Sequence, residues 1–280
     1  MNIMTQKAMT TSLVTKQRKS LLTSLDADGA ALFHSQGLEG AAWLRPPRGA
    51  HHAMSDDVFC VCLRRRLLYD DPGGQGSQPC CHKAAKTERS CGSTQRQKYG
   101  SHAVCCAKGP GFCRRHHRCR DTLASWCCQN IDAGTLKEQH IPRFDRQGPL
   151  GLERGVLDVV LPQNPVTHGP LYIDVTIVEA TTADETAARA RARRPGLAAA
   201  DRERTKHTRY PGALLLPAVL EAGGRWGREF RMWARAALPG DEARAAKLAE
   251  LRQAMAVSLQ HGVAAALLGA TAAGCRRPWE

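Results

Sequence analysis

Aromatic residues make up only 5% of this chain. A surface that holds single-stranded nucleic acid through rows of stacking rings is therefore not expected. No stretch approaches the roughly 20 apolar residues of a membrane span, so no membrane partner is expected. The first residues, Met1-Asn2-Ile3-Met4-Thr5-Gln6-Lys7, lack the apolar core of a signal peptide, which points to an intracellular protein. No internal repeat is visible, and nothing resembles the YxDD hairpin of a reverse transcriptase. What is abundant is positive charge. Lys and Arg total 40 against 26 Asp and Glu, for a formal charge of +14, and such an excess favours polyanionic partners.

The 12 cysteines are unevenly placed, with all but Cys275 lying between Cys60 and Cys128. In a reducing compartment that density reads as metal binding before it reads as disulfides, although some of these cysteines are expected to be small buried apolar residues. Cys81, Cys91, His102 and Cys106 supply the four ligands of a tetrahedral zinc site, structural rather than catalytic. Neighbouring Cys80 and Cys105 leave its register open. Downstream, Arg114, Arg115, His116 and Arg118 form a dense cation cluster suited to phosphate contacts, or equally to a solvated helix start.

Two β-branched runs, Gly155–Leu161 and Leu171–Val178, each contain one acidic residue, Asp158 and Asp174. Pro165, His168 and Gly169 mark a turn between them, which predicts an antiparallel pair. Burying an acid in such a strand is costly without a partner. Two acids facing each other across a hairpin make a hard-oxygen site suited to Mg²⁺. A basic helix at Leu197–Tyr210 follows. Two carboxylates, a metal and a nearby lysine are the parts of a site that cleaves phosphodiesters. Strand alternation puts Asp174, Thr176 and Val178 on one face and Val175 and Ile177 on the other, and leaves Glu179 as a strand-end charge outside the site. Taken singly, Asp158 reads equally well as a solubility charge on an edge strand.

Other elements are expected at Met54–Leu68 (helix), Leu136–Ile141 (the end of a helix carrying Glu138), Asp184–Arg194 (helix), Ala213–Leu220 (strand) and Arg225–Ala236 (helix). A last helix carries the stripe Leu248, Leu251, Met255, Leu259, Gly262 and Ala266, whose spacing is that of core packing. The organisation expected is an irregular N-terminal arm over 1–53, a helix with the Cys/His segment over 54–130, and an α/β domain over 131–274.

Two strings carry a family resemblance. One is Cys91-Gly92, Gly100-Ser101-His102-Ala103, Cys106, Gly109, Arg115-His116 and Arg120-Asp121. The other is Leu157-Asp158-Val159, Tyr172-Ile173-Asp174-Val175-Thr176, Lys206 and Tyr210. Together they resemble the C-terminal region of non-LTR retrotransposon polyproteins, where a zinc knuckle precedes a restriction-endonuclease-like domain of the PD-(D/E)xK class. The resemblance implies a mixed sheet flanked by helices and a Mg²⁺- or Mn²⁺-dependent DNA endonuclease that nicks its target. Asp158 takes the place of the first motif's Asp, with Leu157 where that motif has Pro. Asp174 takes the place of the second acid, and Thr176 stands where the lysine is usual. Lys206 in the pattern K-x-x-x-Y supplies that lysine from the following helix. Val175 offers a main-chain carbonyl to the metal, and Glu138 matches an assisting acid. Arg114, Arg115, His116, Arg118, Arg209 and Tyr210 are the expected nucleic-acid contacts. DNA, or RNA, is the implied partner, the location is nuclear, and a reverse transcriptase domain is supplied elsewhere. A non-catalytic nucleic-acid-binding module, or a decayed retroelement fragment, is the alternative.

Overall fold

The computed structural model describes residues 6–69, 91, 98–107, 110–149, 151–212, 214–238, 240 and 243–270. The protein is a mixed α/β molecule with a mixed sheet flanked by helices. Helices α1 (Gln6–Ser24), α2 (Ala27–Ser35) and α3 (Asp56–Arg66) precede the Cys/His segment, α4 (Ser101–Cys105) and α5 (Pro110–Asn130). Strand β1 (Leu136–His140) leads into a small hairpin, β2 (Arg146–Gly148) and β3 (Gly151–Glu153). Then come β4 (Val156–Asn164), β5 (Gly169–Val178), α6 (Glu185–Arg193), α7 (Leu197–Arg209), β6 (Leu215–Glu221), α8 (Arg228–Ala236) and α9 (Ala243–Ala270). Among the described residues no helix is long and apolar enough to cross a membrane.

The main sheet has the order β1-β4-β5-β6. The first two pairings are antiparallel, and β5 pairs with β6 in parallel. A parallel neighbour needs a long crossover, and α6 and α7 provide it. The register between β4 and β5 shifts between Leu161 and Asn164, where Pro162 has no amide hydrogen to give the ladder. Alternating Leu171, Ile173 and Val175 face the core, where Val159, Leu161 and Ala218 meet Cys119, Leu123 and Trp126 of α5 and Phe230 and Trp233 of α8. On α8 the buried set Phe230, Trp233 and Ala234 recurs at the three-to-four-residue spacing of a half-buried helix. Across the sheet, Val160, Tyr172 and Leu215 pack with Phe144 and Tyr210.

The expected stripe on α9 is buried: Leu251, Met255 and Leu259 are fully enclosed. Gly262 lies where α9 crosses α5. A Cβ there would stand 2.5 Å from Arg115 Cγ and 2.8 Å from its Cα.

Two expectations are corrected. The N-terminal segment is helical rather than irregular, and Trp43 packs with Val61, Cys62, Ala256 and Val257 in a cluster of its own. The segment carrying Glu138 is strand β1, not the end of a helix.

Candidate active site and metal-ligand cluster

The pairing of Val159 with Ile173 is the last toward the site, and it sets Asp158 opposite Asp174. Beyond that point the backbones of β4 and β5 part. The Val175 amide donates to Asp158 Oδ2 at 2.7 Å instead of to a strand carbonyl. The two acids therefore sit at the mouth of a split in the sheet. Helix α5 approaches the split from the core side and α7 from the other.

From α7, Lys206 Nζ reaches Asp174 Oδ2 at 2.6 Å. Thr176 donates its hydroxyl to the same oxygen at 3.0 Å. Asp174 is 5% exposed. Burial pushes its carboxyl above the ordinary range, Lys206 pulls it back, and the nearby Asp158 charge adds to the upward shift.

From α5, His116 Nε2 lies 3.2 Å from Asp158 Oδ2 and 3.1 Å from the Val175 carbonyl oxygen. Two acceptors converging on one ring nitrogen require that nitrogen to carry the proton. The hydrogen bond to Asp158 raises the His116 pKa, burial opposes it, and the Asp158 charge and Val175 carbonyl add to the rise. His116 was expected as a phosphate contact. Its ring is instead turned into the site, and neither motif spacing nor composition points there.

Glu138 lies opposite Asp158 by the register of β1 with β4, so three acids stand in a row across three strands. Its φ of 50° is rare for a non-glycine residue inside a strand. Its carboxylate ion-pairs with Arg120 of α5, one helical turn from His116, and Arg120 also holds Asp121 at 3.0 Å.

Two expected nucleic-acid contacts are buried and are corrected here. Arg115 is 1% exposed, sealed between α5 and α9 on the stripe it shares with Cys119 and Leu123. Tyr210 is 4% exposed, its ring 5.5 Å from that of Phe144. Arg114, Arg118 and Arg209 are exposed. Glu179, the strand-end charge outside the site, is buried and pairs with Arg65 at 2.7 Å. Removing one partner of so enclosed a pair costs about 3–5 kcal/mol.

In the Cys/His segment, Cys91, His102 and Cys106 bring their ligand atoms within 4.8 Å of one another. Cys91 Sγ stands 3.3 Å from His102 Nε2. Among the described residues no other group of three such side chains is so close, the carboxylates of the sheet included. Cys106 is enclosed while Cys105 is exposed and donates to the His102 carbonyl, which settles the register on that side. Cys80 and Cys81 lie outside the described residues. Gly100 makes the turn into α4 at φ 66°, and a side chain there would collide with Leu267 of α9. The cluster is thus seated on the same long helix that supports α5.

Comparison with protein-family models and with curated proteins finds no match to this chain.

Proposed function

We propose that the protein is a metal-dependent DNA endonuclease whose site is the split between β4 and β5. One observation carries this reading. A single point, now taken by His116 Nε2, lies within 3.2 Å of both the Asp158 carboxylate and the Val175 carbonyl, and on the facing strand Asp174 holds Lys206. Carboxylate and carbonyl oxygens are the donor set of a hard divalent cation, so these residues fit Mg²⁺ or Mn²⁺. Held by Asp158, Asp174 and the Val175 carbonyl, such a cation would neutralise phosphoryl charge and make a bound water more acidic.

The chain's own groups do the rest. Thr176 fixes the rotamer of Asp174 through its hydroxyl. Lys206 places a cation where the scissile phosphate gains negative charge. The Val175 amide holds Asp158 against rotation. Exposed Arg114, Arg118 and Arg209 offer phosphate contacts around the split. In this reading Glu138 is a positioning group tied to Arg120 and takes no part in the chemistry.

We assign zinc to the Cys91, His102 and Cys106 cluster, with Cys81 or Cys80 as fourth ligand. Its role is structural, since it ties the turn before α4 together.

The protein is expected to nick supercoiled plasmid in Mg²⁺ or Mn²⁺ and to be inert in EDTA. Asp158→Ala and Asp174→Ala are expected to abolish nicking with DNA affinity largely kept, because Lys and Arg contacts dominate affinity. Lys206→Ala is expected to slow cleavage by a factor on the order of 10²–10³, as for loss of one charge-stabilising group. Wild-type protein that binds DNA and never cuts it would replace this reading with that of a binding module. Elemental analysis of protein purified under reducing conditions is expected to give about one zinc per chain, and its loss in His102→Ala. A zinc-free wild type would remove the metal assignment.

A further inference from the structure

The stretch between β1 and β2 brings one arginine to the face of the sheet that α7 covers. Pro142–Phe144 is a single tight turn, and the residues on either side of it are tied down. The Ile141 amide donates to the Gly155 carbonyl at 2.8 Å. Asp145 Oδ1 accepts the Gly155 amide at 2.7 Å and lies 2.8 Å from His140 Nε2. Phe144 is buried, with its ring centroid 5.5 Å from those of Tyr172 and Tyr210. Gly155 permits its close approach, since a Cβ there would sit 2.5 Å from Phe144 Cβ. The turn is therefore fixed without help from a ligand.

Arg143 is the exposed residue of this turn, and it folds back over two of the rings. Its guanidinium carbon stands 4.6 Å from the Phe144 ring centroid and 4.4 Å from that of Tyr172. Stacking of this kind holds the plane of a guanidinium and leaves its N–H edges free to fork an anion. The nearby acids are already engaged, Asp145 as above and Glu153 with Arg146 at 2.5 Å. Among the described residues no carboxylate pairs with Arg143. Its place matters as much as its charge. Tyr172 and Asp174 are alternate residues of β5 and share one face. The ring beneath Arg143 is thus rooted about 7 Å along the strand from Asp174. Lys206 joins the two places: its Nζ reaches Asp174 Oδ2 at 2.6 Å and lies 5.9 Å from the Tyr210 ring centroid. Tyr210 in turn packs on Phe144, beneath Arg143.

We propose that Arg143 is a positioning residue of the endonuclease, holding the phosphate next to the scissile one and so setting the strand in register over Asp158 and Asp174. The assignment rests on the reading of the split as a DNA-cutting site and deepens it by specifying what the substrate must carry. A stacked guanidinium presents a planar pair of donors, which suits two oxygens of one phosphate. The substrate is thus a continuous backbone with a charged phosphate beside the bond that breaks, and an isolated phosphodiester is a poor one. Arg209 differs in kind. It lies 5.1 Å from the Tyr210 ring centroid, but Glu153 stands 3.8 Å from it and offsets part of its charge.

The test uses the full chain in Mg²⁺ and a short duplex containing a nick site mapped on plasmid. One phosphate at a time around the cut is replaced by a neutral methylphosphonate. At one adjacent position the replacement is expected to lower kcat/KM of wild type by a factor on the order of 10–100, as for loss of hydrogen bonds between charged groups. Arg143→Ala is expected to show the same loss on the unmodified duplex and no further loss on that modified one, because the two changes remove a single contact. Arg143→Lys, which keeps the charge without the planar fork, is expected to restore affinity and not the rate. Arg209→Ala is expected to weaken binding with its effect additive to that replacement. Arg143 is exposed, so its variants are expected to melt with wild type. If the effects of Arg143→Ala and methylphosphonate add at every position, Arg143 holds no phosphate and the nuclease reading stands without it. If wild type binds the duplex and never cuts it, the nuclease reading falls and takes the positioning role with it.

Discussion

His116 donates one N–H to two oxygens that also suit a divalent cation. The imidazole and a cation cannot hold the same point, so in the proposed endonuclease metal entry requires the ring to swing out. His116→Ala is therefore expected to lower the Mg²⁺ concentration needed for half-maximal cleavage severalfold, read from a metal titration of the nicking rate. A variant that cuts no better at any metal level would assign the ring a role in orienting Asp158 instead. Legibility at this scale was uneven. Asp174 is conspicuous because an acid between Ile173 and Val175 has no cheap place to go. Lys206 is one cation in a basic helix, and only the family resemblance singled it out. His116 is hidden because its partner Asp158 is 42 residues away. The burial of Arg115 has a signal in the sequence. Its four-residue spacing to Cys119 and Leu123 places it on the buried stripe of α5.

Helices α5 and α9 cross where Gly262 lies against Arg115. Replacing a helical glycine by alanine gains up to about 1 kcal/mol in helix propensity. Here the new methyl would meet backbone at 2.8 Å as well as side chain at 2.5 Å, and overpacking of that kind costs about 1–3 kcal/mol. The steric term wins. Gly262→Ala is expected to lower the urea midpoint of unfolding, and an unchanged or raised midpoint would mean that the crossing gives way freely. The helices and the paired strands were legible from hydrophobic period and turn residues. Strand β1 was not. Leu136-Lys137-Glu138-Gln139-His140 is an edge strand with four of its five residues exposed, so it lacks the apolar alternation that announces a half-buried strand. The helical N-terminal segment is hidden for a related reason: α1 scatters Met9, Leu13, Val14, Leu21 and Leu22 around its circumference, with no apolar stripe to read.

For the molecule as a whole, the ends of β5 and β6 carry a buried charge network that composition gave no means of placing. Glu179 pairs with Arg65. Glu221, 2% exposed, accepts the Ala199 amide at 3.1 Å and lies 3.9 Å from Arg225. Burial pushes the Glu221 carboxyl up to about 7, with the Ala199 amide and Arg225 pulling against it. A carboxyl raised in the folded state favours the folded form while protonated. That contribution is whole below the ordinary glutamate range, about pH 4, and is lost as pH rises through about 7. Its full span is on the order of 3 kcal/mol. The melting temperature of wild type is expected to fall relative to Glu221→Gln across that window and to run parallel to it above. Parallel curves throughout would mean that Glu221 ionises in the folded protein as it does in the unfolded chain.

The parallel pairing of β5 with β6 has a consequence for the order in which the site is assembled. Asp158 and Asp174 are brought together by a tight turn between neighbouring strands, a short and rapid closure. Lys206 is delivered only after α6 and α7 have looped across the sheet to let β6 dock. Closure entropy and folding time both grow with such separation. The carboxylates therefore meet before their cation arrives, and the half-built hairpin passes through a stage of uncompensated mutual repulsion. In the proposed endonuclease, a metal ion present during folding would find its oxygens ready before the lysine does, and so would aid folding as well as chemistry.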